Sequence, residues 1–591
     1  MNKSPAMKKE FISFILIAIL FSVFTNSCQQ DNTLWIVTAP AYKEFTKVDK
    51  EGITVIPNGR FITPYGKTIT TAPHPYGLAL SPDNNIAVTA NSGIKPLSIT
   101  IIRDLFSEAP EVQQVPPGAS TDEGVLASVF MGLAVAPDNK TIYVSGGQEN
   151  KIYLFDAETG AKKGEIDCSF VSDDVDYSHG YIGDLTLTKD GKTLYAVDQI
   201  GFRMIVIDTE NKKLKYSVPV GRYPFGICLS PDEKKAYVAN VGMFRYAIIR
   251  RSDKKGARIK PVNLPVYAFG SEEMIKGINN DTIYVPPLGD PNVPESFSVF
   301  VIDVTDGKYR TLAKVKTGHL VGSMVEGIPA VGGSSPNSIA ATDKYVFVSN
   351  GNNDNISVIS YEKDTVIATI PLILDQRMRH FRGVIPFGVA VSPDQKRLYV
   401  AESGINAVAV IDAENFEVLG HIPAGWFPAK LKVSNDGKKL IVTNAKGYGS
   451  GPNGGKNFKH GPEGSYIGAL MKGNVQIIDI PDDKTLKELT LKTIQNNYRF
   501  RKPDDPSFDY RKNNPIPLYP GAKGSPKNTL YLSRKRTEHT TKYWDRSKMP
   551  KATRHSQDTV TEPRSITRKE RSLLTMLPLC PTILPLPVHL Q

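Results

Sequence analysis

The chain has 591 residues, of which 40% are hydrophobic and 22% charged, and its formal net charge is +12. This composition excludes a wholly disordered chain, which has fewer apolar residues, and a polytopic membrane protein, which has more. The 25 Tyr and 24 Phe residues, beside 47 Gly and 43 Pro, favour an all-β protein with many turns.

The N-terminal segment is typical of an export signal. Three lysines precede an apolar run from Phe11 to Phe24, which is followed by Thr-Asn-Ser-Cys28. The run is too short for a transmembrane helix, which needs about 20 residues. A basic start, a short apolar stretch and small residues indicate a secretory signal. The stretch resembles a bacterial lipoprotein signal over residues 1–28, which implies lipid attachment at Cys28 and a lipid-anchored place in the bacterial cell envelope, at the outer membrane or the periplasmic face. An ordinary secretory signal with a chance cysteine is the alternative.

A repeated phrase fills the middle of the chain. It reads PYGLALSPDNNIAVTANSG from Pro75 and PFGVAVSPDQKRLYVAESG from Pro386. Alternating apolar residues predict a strand, Ser-Pro-Asp predicts a tight turn, and a second strand follows. The seven copies start at Pro75, Met131, Ile182, Pro224, Pro336, Pro386 and Pro428. Many copies continue into a third and a fourth strand, and repeats of roughly 40–50 residues with four strands predict a β-propeller.

Three of the second strands carry a closer likeness. LYVAES at Leu398, AYVANV at Ala236 and FVSNG at Phe347 resemble the YVTN repeat of the YncE-like β-propellers. The resemblance implies an all-β, seven-bladed β-propeller of four-stranded blades (YVTN/WD40-like) over residues 29–500. We expect the segment from Gly52, GITVIPNGRFITPYGKTI, to close the ring by pairing with LKELTLKTI from Leu486.

Several segments interrupt or follow the predicted propeller. A large insertion is expected over residues 250–295, with the basic run RRSDKKGARIK, and a Gly-rich loop over residues 446–465. Residues 501–526 are interpreted as a linker. Residues 527–591 lack a sustained period and contain 13 basic and five acidic residues, so a disordered basic tail is one interpretation.

A frameshift is the second interpretation of residues 527–591. The codons of this tail, read in a shifted frame, permit the string KENRTYDKVLGQIENAKGNPTLARYGYG from Arg534. That string resembles the start of a phosphoesterase domain of the alkaline-phosphatase-like superfamily, which follows YVTN propellers in a two-domain family. The resemblance implies a propeller separated from a catalytic domain whose divalent metals and their ligands this chain lacks as translated.

Residues just before the inner strands are the candidate binding groups, because those loops approach the central channel of a propeller. Two arginines with aromatic neighbours at one mouth can hold an anion through bidentate hydrogen bonds. The candidates are His74, Arg222, Tyr223, Arg382 and Trp426. The alternative is that they are ordinary rim residues. No cofactor is expected, and no histidine shows metal-ligand spacing.

Cys168 and Cys228 lie inside predicted strands. Two thiols do not make a disulfide framework, so we expect small core residues, with a disulfide as the alternative.

The expected function is that of an envelope-anchored binding or scaffold module, the truncated remnant of a propeller-phosphoesterase protein. Its expected partners are the membrane, through the lipid, and a protein or small anionic ligand at the channel. An active phosphoesterase, if the frame is intact, or a lactonase-type propeller enzyme is the alternative. Nucleic acid is not expected as a partner, because the tail carries +8 and the signal +2 of the net charge, leaving +2 for the rest.

Overall fold

The computed structural model describes residues 35–93, 97–117, 126, 128–245, 276–279, 284–285, 287–305, 307–451 and 467–503. Cys28, the basic run of the insertion, most of the Gly-rich loop and the tail from residue 527 lie outside these ranges. The chain divides into two compact units, one of residues 1–39 and 498–533 and one of residues 40–497 and 534–591. In the described part of the first unit, Ile36–Thr38 pairs antiparallel with Arg499–Arg501.

Seven four-stranded antiparallel sheets, here called blades 1 to 7, form the second unit. The strands of blades 1 to 3, from the inner strand outwards, are Pro75–Leu80, Ala87–Asn91, Ser98–Arg103 and Glu111–Val115; Leu133–Val135, Thr141–Ser145, Lys151–Asp156 and Lys162–Asp167; and Ile182–Leu187, Thr193–Asp198, Arg203–Asp208 and Lys213–Pro219. Those of blades 4 and 5 are Pro224–Leu229, Lys235–Asn240, Ser298–Asp303 and Arg310–Lys316; and Pro336–Ala341, Tyr345–Asn350, Asn355–Ser360 and Val366–Pro371. Those of blades 6 and 7 are Pro386–Val391, Arg397–Glu402, Ala407–Asp412 and Val418–Pro423; and Trp426–Val433, Lys439–Gly447, Lys472–Asp479 and Lys67–Pro73.

The inner strand of each blade contacts that of the next, and the inner strand of blade 7 contacts that of blade 1. The seven-bladed propeller predicted from the repeats is therefore the fold of this unit. The predicted insertion lies in sequence between the second strand of blade 4, which ends at Asn240, and the third strand, which begins at Ser298. These two strands pair directly with each other.

The ring is closed by an N-terminal strand, as expected, but with a different partner. Lys67–Pro73 pairs antiparallel with Lys472–Asp479 and forms the outer strand of blade 7. The expectation that it pairs with the segment from Leu486 is wrong, because that segment belongs to the helix Asp483–Asn497. The Asp482 carboxylate accepts the Thr485 N–H at 2.8 Å and so caps the start of the helix.

The helix packs on the outer strand of blade 6. Leu486 is buried in the apolar cluster between blades 6 and 7. Gly420 makes this packing possible, because a Cβ there would lie within 3 Å of Leu486 and Thr490 side-chain atoms. The remaining elements are the two-stranded pairs Thr54–Val55 with Phe61–Ile62, Ile278–Asn279 with Tyr284–Val285, and Met324–Val325 with Ile328–Pro329, and the short helices Gln376–Met378 and Ile467–Leu470. In the described residues, no helix combines the length and apolar character needed to cross a membrane.

The Ser-Pro-Asp phrase of the repeat builds the hairpin between the first two strands of a blade. In blade 4, the Ser230 hydroxyl donates to Asp232 at 2.6 Å and accepts the Lys235 N–H at 3.0 Å. Ser81, Ser392 and Ser434 make the same pair of hydrogen bonds in blades 1, 6 and 7. The hydroxyl thus joins the turn to the start of the second strand, which explains why this residue type recurs.

A polar residue recurs at the end of the second strand, where it is buried and ties that strand to the third. Asn350 donates to Asn355 Oδ1 and to Ser357 Oγ, both at 2.8 Å. Asn91, Asn240 and Asn444 make corresponding contacts in blades 1, 4 and 7. Because a buried amide must be hydrogen-bonded, this residue fixes the alignment of the two strands.

The recurrent glycine of the inner strand allows neighbouring blades to approach closely. A Cβ on Gly388 would lie 2.2 Å from the Ala429 carbonyl oxygen of blade 7, and one on Gly226 would lie 2.4 Å from that of Asn337 in blade 5. Gly77 and Gly132 are equally close to the next inner strand. The apolar faces of adjacent sheets pack around these approaches and form the core.

The two described cysteines are free, so the alternative disulfide is not formed. Cys168 is fully buried between blades 2 and 3. Cys228 is half-buried and packs against the core between blades 4 and 5.

Candidate functional site

The approach to the inner strands carries a repeated backbone conformation. His74, Tyr223, Ser335 and Ile385 each precede the first proline of an inner strand, with φ between 49° and 59°. Their carbonyl oxygens accept the N–H groups of Ser92, Val241, Gly351 and Ser403, which directly follow the second strands. A left-handed conformation is unfavourable for non-glycine residues and persists only where the surroundings hold it. The candidate residues at positions 74 and 223 are thus rigidly held.

Aromatic side chains meet at the end of the channel where the inner strands begin. Phe225 lies 5.7 Å from Phe130 and 6.0 Å from Phe387, so its ring touches rings from blades 2 and 6. The set, here called the aromatic layer, consists of Tyr76, Phe130, Tyr181, Phe225, Phe387 and Phe427. Contacts between rings of non-adjacent blades require them to converge on the axis, and the aromatic layer therefore closes this end of the channel. Burial raises the pKa of Tyr181 to about 12.

His74 and Trp426 lie beside the same lysine. The Lys446 ammonium is 4.9 Å from the Trp426 ring centroid and 5.2 Å from that of Phe427, which are cation–π distances. The His74 ring stacks on Tyr76 with centroids 6.3 Å apart. Burial and, secondarily, the charge of Lys446 lower the pKa of His74 to about 4, so this imidazole is neutral at neutral pH.

Arg222 and Tyr223 lie at the edge of blade 4. Arg222 donates to the Met243 carbonyl at 2.5 Å, and the Tyr223 ring meets Phe202 with centroids 4.9 Å apart. Burial lowers the pKa of Arg222, against the opposing charge of Glu295. Burial also lowers the pKa of Lys316 to about 8, and Arg222 contributes to this shift.

Arg382 lies on the loop between blades 5 and 6, where it is 45% exposed. Its Nη2 atom is 3.8 Å from Glu326 Oε2, and His380 Nδ1 is 3.2 Å from the same oxygen. Arg222 and Arg382 therefore have different carboxylate neighbours and share none among the described residues. A single anion held between these two arginines stays a prediction.

The other histidines are separate from one another in the structure. His421 is buried, and its Nδ1 lies 2.8 Å from Glu402 Oε2 inside blade 6. His380 is on the exposed loop just described, and His460 is outside the described residues. Within the described ranges, no group of three or more His, Cys, Asp or Glu side chains is placed to hold a metal ion.

Sequence reasoning missed three features of this region: the aromatic layer, Lys446, and an ion pair inside the channel. The ion pair joins Lys430 Nζ of blade 7 to Asp184 Oδ2 of blade 3 at 2.9 Å. The phrase Pro-Tyr/Phe-Gly in copies 1, 4 and 6 was a usable signal for the aromatic layer, since it places a ring at the same position of several inner strands.

No protein-family model and no curated protein matches the chain. Among solved structures, the chain is similar to hydrazine synthase of Kuenenia stuttgartiensis, with 16% identity and a TM-score of 0.42 over 70% of this chain and 98% of that one. A similarity at this level carries no argument about what the chain binds or does.

Proposed function

We propose that the chain is a binding module that docks an envelope protein on the face of the propeller where the inner strands begin. The observation that supports this most is an exposed apolar projection on that face. It consists of the hairpin formed by Met324–Val325 and Ile328–Pro329, together with the loop around Phe381. Met324, Ile328 and Phe381 are 64%, 71% and 65% exposed.

The hairpin and the loop act as one surface, because Glu326 at the hairpin tip contacts both His380 and Arg382. Single exposed apolar residues are normal on a protein, whereas a group of large ones on neighbouring segments marks an interaction surface. Leu320 and Val331, which flank the hairpin, are also exposed. Each of these segments leads from an outer strand to the next inner strand, the same connection that carries the candidate residues of the channel mouth.

The charge around the projection indicates the kind of partner. Among the described residues, Arg382 has one carboxylate neighbour, Glu326, and Arg379 donates to His380 Nε2 at 2.9 Å, whereas Arg377 is paired with Asp375 at 2.6 Å. A partner that presents apolar side chains beside a carboxylate would match this surface, since complementary charge sets specificity and association rate.

Site-specific photo-cross-linking tests the docking surface. A photoreactive residue in place of Ile328 or of Phe381, in cells of the source organism, is expected to give the same covalent adduct. Leu491, which is 61% exposed on the helix Asp483–Asn497, is the matched control position. Met324→Ser together with Ile328→Ser should remove the Phe381 adduct while leaving the melting temperature unchanged. Equal adducts from position 491, or an adduct that survives the double substitution, would contradict the proposal.

The anchor is part of the same proposal. The segment ending at Cys28 resembles a lipoprotein signal, and acyl chains would hold the propeller at the envelope membrane. Labelling with an alkynyl fatty acid should tag the wild-type chain and leave Cys28→Ser untagged. A tag on the variant, or none on the wild type, would refute the anchor without affecting the docking surface.

The history of the chain is the last part of the proposal. The YVTN-like phrases and the shifted-frame string from Arg534 support descent from a YncE-like propeller fused to a phosphoesterase. Resequencing the locus from the codon of Gly521 onwards tests this directly. An intact frame with no phosphoesterase reading downstream would refute the idea of truncation, and hydrolase activity of the full chain would favour the enzyme alternatives.

A further inference from the structure

Small residues recur at two positions of the inner strands. Each inner strand contributes one residue to a first layer and one to a second layer. These residues lie four and two positions before the residue that starts the Ser-Pro-Asp turn. The first layer is Gly77, Gly132, Asp184, Gly226, Ser338, Gly388 and Lys430. The second layer is Ala79, Ala134, Thr186, Cys228, Ala340, Ala390 and Lys432. The seven turns are equivalent, because in each the starting residue donates its N–H to the carbonyl of the first residue of the second strand, or in blade 1 of the residue just before it.

Only two blades depart from small residues, and they depart with charges. In the first layer, Asp184 and Lys430 form an ion pair at 2.9 Å, although three blades separate blade 3 from blade 7 on one side of the ring and two on the other. The pair therefore spans the channel. Its side chains are only 9% and 15% exposed, so the pair is largely enclosed by protein.

The second layer contains a lysine with no such partner. Lys432 points to the same side of its strand as Lys430, because residues two apart share a face. Among the described residues, no oxygen accepts a hydrogen bond from its ammonium. The Lys432 side chain is accessible to water but is surrounded by protein, because it lies inside the channel. This enclosure lowers the pKa of Lys432, and the charge of Lys430 lowers it further.

The charge balance at this level of the channel is positive by one. The charged and titratable groups that face Lys432 are Lys430, Asp184 and Cys228. Burial and the charge of Asp184 raise the pKa of Cys228 to about 12, so the thiol is protonated and neutral. Lys430 and Asp184 cancel, which leaves Lys432 as the one uncompensated charge of this group.

The approach to Lys432 is from the hairpin end of the channel. The aromatic layer closes the opposite end, and the ion pair of the first layer lies between the aromatic layer and Lys432. The other six residues of the second layer are small, and four of them, Ala134, Thr186, Cys228 and Ala340, are partly exposed. Lys432 thus lies on the hairpin side of the ion pair, and the aromatic layer lies on the other side.

We propose that this axial channel binds a small monocarboxylate, with the Lys432 ammonium as its ligand. A single negative charge makes the enclosed group of charges neutral. A dianion such as sulfate would leave an uncompensated charge beside Asp184 in a poorly solvated site, which is unfavourable. A short apolar tail matches Ala134 and Ala340, the partly exposed alanines of the second layer. The site is independent of the docking surface proposed above.

Saturation-transfer NMR and calorimetry with acetate, propionate and butyrate test the proposal on the full chain, with sulfate and phosphate as parallel arms. Acetate or propionate is expected to bind one site per chain, at least tenfold more tightly than sulfate. Lys432→Met, which keeps the length without the charge, should reduce the affinity at least tenfold. Lys438→Met, at an exposed lysine of the adjacent turn, should leave it unchanged. Unaltered carboxylate binding by Lys432→Met would overturn the assignment, and so would sulfate binding as tight as that of acetate.

The wild-type protein provides a second measurement if Lys432→Met does not fold. Affinity for the carboxylate should fall as the pH rises through the lowered pKa of Lys432, because the neutral amine loses the attraction. A flat affinity from pH 7 to pH 11 would refute the role of Lys432.

Discussion

Blade 3 carries a charged version of the polar link between the second and third strands, and its removal has a predictable effect. Asp198 stands where most blades have asparagine, and it is fully buried with Arg203. Its Oδ2 atom accepts from Arg203 Nε at 2.8 Å. Its Oδ1 atom accepts the backbone N–H groups of Tyr181, Ile200 and Gly201 at 2.9–3.2 Å. The carboxylate therefore holds both the guanidinium and the loop that leads out of the strand.

Asp198→Ala should lower the free energy of unfolding by about 3–5 kcal/mol, the range for breaking a buried ion pair on one side. Three backbone donors lose their acceptor. The Arg203 guanidinium stays buried with Ser217 Oγ, the Cys168 carbonyl and the Tyr177 ring as its neighbours. Adding Arg203→Met removes the uncompensated charge. The double variant should therefore cost about 1–3 kcal/mol less than the sum of the single variants.

Urea unfolding, followed by fluorescence and circular dichroism with the slope m held in common, measures these differences. Glu165→Ala is the matched control, because Glu165 forms an exposed ion pair with Lys151 at 2.7 Å. Exposed pairs contribute about 0–1 kcal/mol, so the control should shift little. If Asp198→Ala costs no more than the control, or if the two losses add fully, the reasoning about a buried, mutually dependent pair is refuted.

Three further variants or conditions probe other parts of the propeller. Gly388→Ala should destabilise the protein by about 2 kcal/mol or more through overpacking. Gly289→Ala has open space around its Cβ and should cost only about 1–2 kcal/mol, because Gly289 has a positive φ. Equal urea midpoints of the two variants would contradict this. Burial raises the pKa of the Cys168 thiol, so a thiol reagent at pH 8 should not modify it before unfolding in a chain whose other three cysteines are serine; rapid modification would refute its burial between blades 2 and 3. The pKa of His74 is lowered from 6.5 to about 4 in the folded state, so its stabilising contribution is complete above pH 6.5 and is lost as the pH falls towards 4. His74→Gln should therefore flatten the pH profile of the urea midpoint between pH 6.5 and pH 4. An unchanged profile would argue against this contribution.

The fold was predictable because its determinants are local and repeated. The starts proposed at Pro75, Ile182, Pro224, Pro336 and Pro386 coincide with the first residues of inner strands. The hydroxyl at the start of the turn is visible in the sequence as Ser-Pro-Asp in blades 1, 4 and 6. The helix Asp483–Asn497 was missed because LKELTLKTI was assigned to the closing strand. Asp482 as a cap and apolar residues at helical spacing were the competing signal.

The candidate site was less accessible, because it depends on which blades face each other across the axis. Lys430 and Asp184 are 246 residues apart, and neither has a neighbour in the sequence that suggests an ion pair. The aromatic rings likewise become a layer only when six blades are arranged in a ring. His74 and Trp426 were singled out by position alone, and their common neighbour Lys446 belongs to the second strand of blade 7, away from both in sequence.

The seam of blade 7 also constrains when the propeller can mature. Lys67–Pro73 is synthesised, and crosses any export channel, about 400 residues before Lys472–Asp479, its only ladder partner among the described strands. During that interval Lys67–Pro73 has no partner strand, while the six blades that follow it in the sequence can assemble from contacts between residues close in sequence. A strand without its partner can pair with another copy of the chain. The step most exposed to misassembly is thus the last one, in which Lys67–Pro73 pairs with Lys472–Asp479.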